Sequence, residues 1–234
     1  MGKGFPFYGQ RIGVLVFNGT APRIPGDPGD ADTYDFGVRY GIVKGSFSDL
    51  INGSENIKVE LVRVCKELEN QGIKAIVGDC GLMGLYQNDI KNSIEIPVIT
   101  SSIVLIPFIE SIISDNKKIG IVTGHSELLK KDHLMGGGVK NFDRLVIKGM
   151  QNSKHFKKIV IDGGDKLNRD LMSIEVVDVV YEMIEDNKDI GAIVLECSNL
   201  GTYSRDIWTK FKIPVFDINT CTNFLFNSVF PQKY

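Results

Sequence analysis

Ile73-Lys74-Ala75-Ile76-Val77-Gly78-Asp79-Cys80-Gly81-Leu82-Met83-Gly84-Leu85-Tyr86-Gln87-Asn88-Asp89-Ile90, running on to Ile96-Pro97-Val98, decides the fold because the chain repeats it. The second copy begins Ile190-Gly191-Ala192-Ile193-Val194-Leu195-Glu196-Cys197-Ser198-Asn199-Leu200-Gly201 and closes on Ile213-Pro214-Val215. The two align without a gap at an offset of 117, half of the 234 residues, with 12 identities in 26 pairs. Each copy reads as a buried apolar strand, a turn carrying one cysteine, a helix and a second strand.

The same order recurs outside the repeat. Arg11-Ile12-Gly13-Val14-Leu15-Val16-Phe17 is echoed by Lys118-Ile119-Gly120-Ile121-Val122-Thr123, and both read as buried strands. Ile57, Leu61, Val64 and Leu68 recur at helical spacing among charged residues, and Asn168 caps a second helix running through Glu185. Strands alternating with helices imply parallel sheets covered on both faces. The expected fold class is α/β, with two pseudo-symmetric flavodoxin-like domains and a site in the cleft between them.

Bulk properties narrow the function. The chain is 43% hydrophobic with a net charge of −2, its acids and bases mixed along its length, so nothing marks a nucleic-acid or anionic-membrane partner. The apolar stretch from Ile96 to Ile113 is broken by Pro97, Thr100-Ser101-Ser102, Pro107 and Glu110, which argues against a membrane span. The N-terminus lacks a signal-peptide pattern, and Pro6 stands where myristoylation after Met1-Gly2 needs Ser or Thr. Cys65, Cys80, Cys197 and Cys221 are far apart, without a C-x-x-C pair or a zinc-ligand spacing. The expectation is a reduced, cytoplasmic protein, a homodimer or higher homo-oligomer by base rate.

In open parallel sheets ligands bind beyond the carboxyl ends of strands, where both Cys80 and Cys197 fall. Free N–H groups at a helix start favour thiolate over thiol, so a lowered thiol pKa is expected there. A pseudo-twofold would face one thiol to each side of a bound molecule, as two-base proton transfer at a carbon requires. Cys65 and Cys221 sit in apolar helical patterns and read as core residues.

Other candidates surround this pair. Asn18 and Thr123 end equivalent strands, and Arg23 lies in the stiff Pro22-Arg23-Ile24-Pro25-Gly26-Asp27-Pro28-Gly29-Asp30 loop, placed to grip a carboxylate. Gly81, Leu82, Ser198 and Asn199 follow the cysteines, and Thr100 and Ser101 follow the next strand. Asp79 and Glu196 precede the cysteines. Strand alternation turns them away from the thiols, toward a pairing or a loop hydrogen bond, with polarising the site as the functional alternative. His125 and His133 have no evident partners in the sequence.

These motifs, above all Gly78-Asp79-Cys80-Gly81-Leu82, Leu195-Glu196-Cys197-Ser198-Asn199 and the Pro22 loop, resemble the aspartate/glutamate/hydantoin racemase superfamily over essentially the whole chain. The resemblance implies that Cys80 and Cys197 form an acid/base pair acting on a small carboxylate, with no metal, pyridoxal phosphate or other cofactor. It also implies that the last helix returns to the first domain, giving residues 1–99 with 215–234 as one domain and 100–214 as the other. Glutamate racemases have Asn-Thr and Thr-His after their cysteines, whereas this chain has Gly81-Leu82 and Ser198-Asn199, so glutamate-type recognition is not carried over. The expected activity is a racemase or epimerase of an amino acid or related carboxylate, an isomerase. The alternatives are a maleate-type isomerase, a malonate-type decarboxylase, or a non-catalytic binding protein.

Overall fold

The computed structural model describes residues 4–5 and 8–233; the reading at Met1, Gly2 and Pro6 lies outside them. Two four-stranded parallel sheets form the frame. β1 (Ile12–Phe17), β2 (Val38–Val43), β3 (Ala75–Gly78) and β4 (Val98–Ile99) stand in the order β2-β1-β3-β4. β5 (Lys118–Thr123), β6 (Leu145–Gly149), β7 (Ile190–Leu195) and β8 (Val215–Phe216) repeat it as β6-β5-β7-β8. The flavodoxin-like α/β reading of both halves therefore holds.

In each sheet the two central strands are β1 and β3, or β5 and β7, paired in parallel along Ile12↔Ala75 and Ile119↔Ala192. The chain leaves the sheet in opposite directions on either side of these strands, so their carboxyl ends open the crevice where ligands bind in such folds. Both cysteines follow the second central strand of their sheet.

Helices cover all four faces. The helix Glu55–Asn70 lays Ile57, Leu61, Val64 and Leu68 against Leu15 and Ile76 of the first sheet. These side chains are essentially removed from water, and each contributes roughly 1.5–3 kcal/mol of transfer free energy. The helix Arg169–Asp186, capped by the Asn168 side chain, covers the second sheet through Met172, Val176, Val180 and Met183. Ile103, Ile106 and Ile109 pack on the opposite face of that sheet, joined by Leu82 from the first half. Cys65 and Cys221 are both buried among apolar side chains.

The last helix, Ile218–Val229, crosses back and packs Ile218, Cys221 and Leu225 on Ile12, Val14 and Val77 of the first sheet. The expected division at residue 215 is two residues early. Val215 and Phe216 pair with Ile193 and Val194 as the edge strand of the second sheet, and the crossing begins at Asp217. Asp217 caps the helix through Thr220, and this fixes the turn.

The helix expected after each cysteine begins tighter than α. A 3-10 segment, Gly81–Tyr86 or Ser198–Tyr203, precedes a short α-helix in each half. The segment after β4 likewise starts as 3-10, over Ser102–Leu105, and turns α only at Ile106. Among the described residues no helix is long and apolar enough to cross a membrane.

Candidate active site

Cys80 and Cys197 occupy the cap positions of the two 3-10 segments, each at the mouth of its sheet and each only partly accessible. The halves meet around them. The Ser198 hydroxyl donates to the backbone carbonyl of Asp79, and Gly81 packs so closely on Glu196 that a Cβ there would overlap its carboxylate and its backbone carbonyl. The Ser102 hydroxyl donates to the carbonyl of Leu195 at 2.8 Å.

The carboxylates before the cysteines are buried, with Asp79 4% and Glu196 5% exposed. Asp79 accepts from the Phe17 N–H at 2.9 Å and from Arg23 at 2.6 Å. Glu196 accepts from the Thr123 hydroxyl at 2.7 Å. Pairing with a loop is thus what Asp79 does. Both carboxylates also act on the thiols through space, the alternative role of polarising the site.

Burial pushes the carboxyl of Asp79 up to about 6, against the pull of Arg23, and that of Glu196 up to about 7. The thiols move the same way. Burial first, then the charge of Glu196, holds both Cys80 and Cys197 well above the ordinary thiol range. The N–H groups of Leu82 and Asn199 pull in the opposite direction and are outweighed. The expectation of thiols activated by a helix start is therefore corrected: desolvation and two like charges exceed the effect of a few backbone dipoles.

Arg23 is committed elsewhere than expected. Its two terminal nitrogens donate to Asp27 and Asp79, both at 2.6 Å, which leaves no two-pronged grip for a substrate carboxylate in this arrangement. The Pro22–Asp30 loop is instead a strap across the halves. Asp27 accepts from Asn199 at 2.7 Å, the Pro25 carbonyl from Thr202 at 3.1 Å and the Gly26 carbonyl from Asn219 at 2.7 Å. Gly26 takes a φ of +102° while touching Thr202, so only glycine fits without strain. Gly26→Ala is expected to destabilise the protein by about 1–3 kcal/mol in urea unfolding, through overpacking and backbone strain together.

The remaining candidates divide. Leu82, Gly81, Ser198 and Thr123 lie in or beside the cysteine turns and are buried, and Asn199 approaches the Cys197 sulfur at 3.7 Å. Thr100 is turned to Gln87, to which its N–H and hydroxyl both donate at 2.8 Å, and Ser101 caps the following turn. Both serve the fold. Asn18 is exposed at the end of β1. His133 is buried, and its Nδ1 accepts from the Lys130 N–H at 3.1 Å. His125 follows Gly124, which faces the Cys197 sulfur. A small apolar pocket lined by Pro22, Ile24, Phe156, Ile159, Met172 and Tyr203 opens beside Asp27 and Asn199.

No family model matches the chain. Solved structures share its architecture: an aspartate racemase homologue from Pyrococcus horikoshii OT3 (TM-score 0.57, 16% identity, 94% of this chain and 99% of the other) and allantoin racemase from Klebsiella pneumoniae (0.60, 14%, 94% and 87%). Unliganded arylmalonate decarboxylase superposes equally well, with a TM-score of 0.61 at 11% identity over 96% of this chain and 94% of the other. The chain has the fold of the aspartate/glutamate/hydantoin racemase superfamily.

Sequence similarity points to a different reaction. A dimethylsulfoniopropionate lyase of Durusdinium sp. clade D is 26% identical over 225 residues, covering 91% of this chain and 73% of the relative. Dimethylsulfoniopropionate lyases 3 and 6 of Emiliania huxleyi (strain CCMP1516) are each 27% identical over 229 residues, covering 93% of this chain. The chain spans 59% of the length of each of these two relatives. The expected racemase or epimerase activity, and with it the isomerase class, is overturned by these relatives, all of which are lyases.

Proposed function

We propose that the protein is a lyase that eliminates a cationic sulfur group from a small carboxylate, with dimethylsulfoniopropionate as the substrate to test first. The likeness to lyases of that name over more than nine-tenths of the chain carries the reading. The chemistry of the site agrees with it. Three carboxylates, Asp27, Asp79 and Glu196, surround the cysteine turns, and one cation, Arg23, is paired among them. A sulfonium has no N–H to donate, so it is held by opposite charge and by apolar or aromatic contact.

The same charge explains how a thiol so reluctant to ionise can serve as a base. A cation bound beside the carboxylates favours the thiolate that they otherwise disfavour. The thiolate of one cysteine then takes the proton from the carbon next to the carboxylate. The electron pair of that C–H bond becomes the new carbon–carbon double bond, and the carbon–sulfur pair leaves on sulfur. The products are acrylate and neutral dimethyl sulfide, and the proton rests on the cysteine. The first step is the one a racemase performs; the departing sulfide makes it an elimination.

The test is incubation of the purified protein with dimethylsulfoniopropionate, following dimethyl sulfide in the headspace and acrylate by proton NMR in equal amounts. Trimethylammoniopropionate should inhibit about tenfold or more better than 4,4-dimethylpentanoate, its carbon isostere without the cationic charge, because a close desolvated charge pair is worth more than 1 kcal/mol. Absence of sulfide release from folded protein, or equal inhibition by the two analogues, sinks the reading.

A further inference from the structure

Cys80 and Cys197 are equivalent in the repeat but not in their surroundings. The Cys197 sulfur lies 3.7 Å from Asn199 Oδ1, while Asn199 Nδ2 lies 2.7 Å from Asp27 Oδ2. A carboxylate only accepts, so the amide nitrogen must face Asp27 and the amide oxygen must face the sulfur. The Cys197 S–H therefore donates and has an acceptor waiting. Asp27 is itself held, its other oxygen taking Arg23 at 2.6 Å and the Gly29 N–H at 2.8 Å. At the equivalent place after Cys80 stands Leu82, which has no acceptor to offer.

We propose that Asp27 is a positioning residue for Cys197: by clamping the amide of Asn199 from across the cleft, it keeps Cys197 as an oriented thiol and makes the two cysteines inequivalent. The clamp comes from the Pro22–Asp30 strap of the first half, where Arg23 and the Gly29 N–H hold Asp27 in place, so residues of both halves set Cys197. The groups that face Cys197 are Glu196, Asp27 and Asp79, with Arg23 neutralising part of the last two. Of these, Glu196 and Asp79 act on both cysteines, whereas Asp27 acts on Cys197, by its charge as well as through Asn199. The inference rests on the lyase reading only in assigning proton transfer to the cysteines.

The test reads the cysteines directly and needs no turnover. Iodoacetamide alkylation of the full chain at a fixed, mildly alkaline pH is followed for each cysteine-containing peptide by mass spectrometry. In Asp27→Asn the lock is lost and the amide can turn its N–H toward sulfur; in Asn199→Ala the acceptor is gone. Both should speed alkylation of Cys197 about tenfold, the equivalent of one pH unit of thiol acidity, and leave Cys80 within about twofold. Thr202→Val, which cuts another tether of the strap, should change neither cysteine. Equal acceleration of both cysteines, no acceleration of Cys197, or the same response from Thr202→Val would overturn the proposal. Failure to release dimethyl sulfide would sink the lyase reading and leave this comparison intact.

Discussion

Cys80→Ala and Cys197→Ala should each lower the rate of dimethyl sulfide release by about 10²–10⁴-fold, the range that a positioned general acid or base supplies. Cys65→Ala and Cys221→Ala should keep that rate, because both side chains are buried in the apolar cores of the first sheet and face no cleft. Their cost falls on stability. An elimination needs one base, so the two active-site variants need not fall equally, whereas reversible epimerisation through opposite faces loses both directions when either thiol is removed. Transient kinetics with α-deuterated substrate would show which variant still breaks the carbon–hydrogen bond. Undiminished sulfide release by both variants would remove the cysteines from the mechanism.

The reason that the reaction class was misread from residues alone lies in this shared first step. Two thiols in matched strand-to-helix turns mark proton transfer at a carbon, and the repeat from Ile73 and Ile190 displays them openly. What happens to the carbanion depends on the group attached to the next carbon, and no cysteine spacing encodes that. Charge could have hinted at it. Asp79 and Glu196 stand beside the cysteines in both copies, but strand alternation suggested that they turn away, and only the assembled halves bring Glu196 onto Gly81.

The fold was legible for a simpler reason. Period and punctuation are local, and with the duplication they gave parallel sheets in two matched halves with the cysteines at the carboxyl ends of strands, whereas the order of strands in each sheet came with the structure. Pairings such as Asp27 with Asn199 or Asp79 with Arg23 join residues far apart in the chain, and the first of them follows from how the halves dock. The sign of the thiol shift was lost with them. Backbone dipoles at a helix start are visible in a sequence, but the water excluded by a second domain is not.

Glu196→Gln should reshape the dependence of stability on pH. The carboxyl of Glu196 titrates near 7 in the folded protein against 4.5 for an ordinary glutamate. A carboxyl whose folded pKa is raised binds its proton more tightly in the native state. Its contribution is therefore most favourable below about pH 4.5 and is lost as the pH climbs through about 7. Above that, the buried charge costs about 3 kcal/mol. Glutamine keeps an oxygen for the Thr123 hydroxyl and carries no charge, so the variant should be more stable than the parent by up to about 3 kcal/mol at pH 8 and little different at pH 4.5. Asp79 has the same sign, with its carboxyl near 6, but it is present in both proteins and cancels in the difference. Urea unfolding across this range is the measurement, and parallel stability curves for the two proteins would refute the assignment. The gain should come with a loss of function. Removing the charge that bears on both thiols weakens the pull on a sulfonium, so inhibition by trimethylammoniopropionate should approach that by 4,4-dimethylpentanoate. Stability surrendered to a buried carboxylate, and recovered when it is neutralised, is what a site built to receive a cation would show.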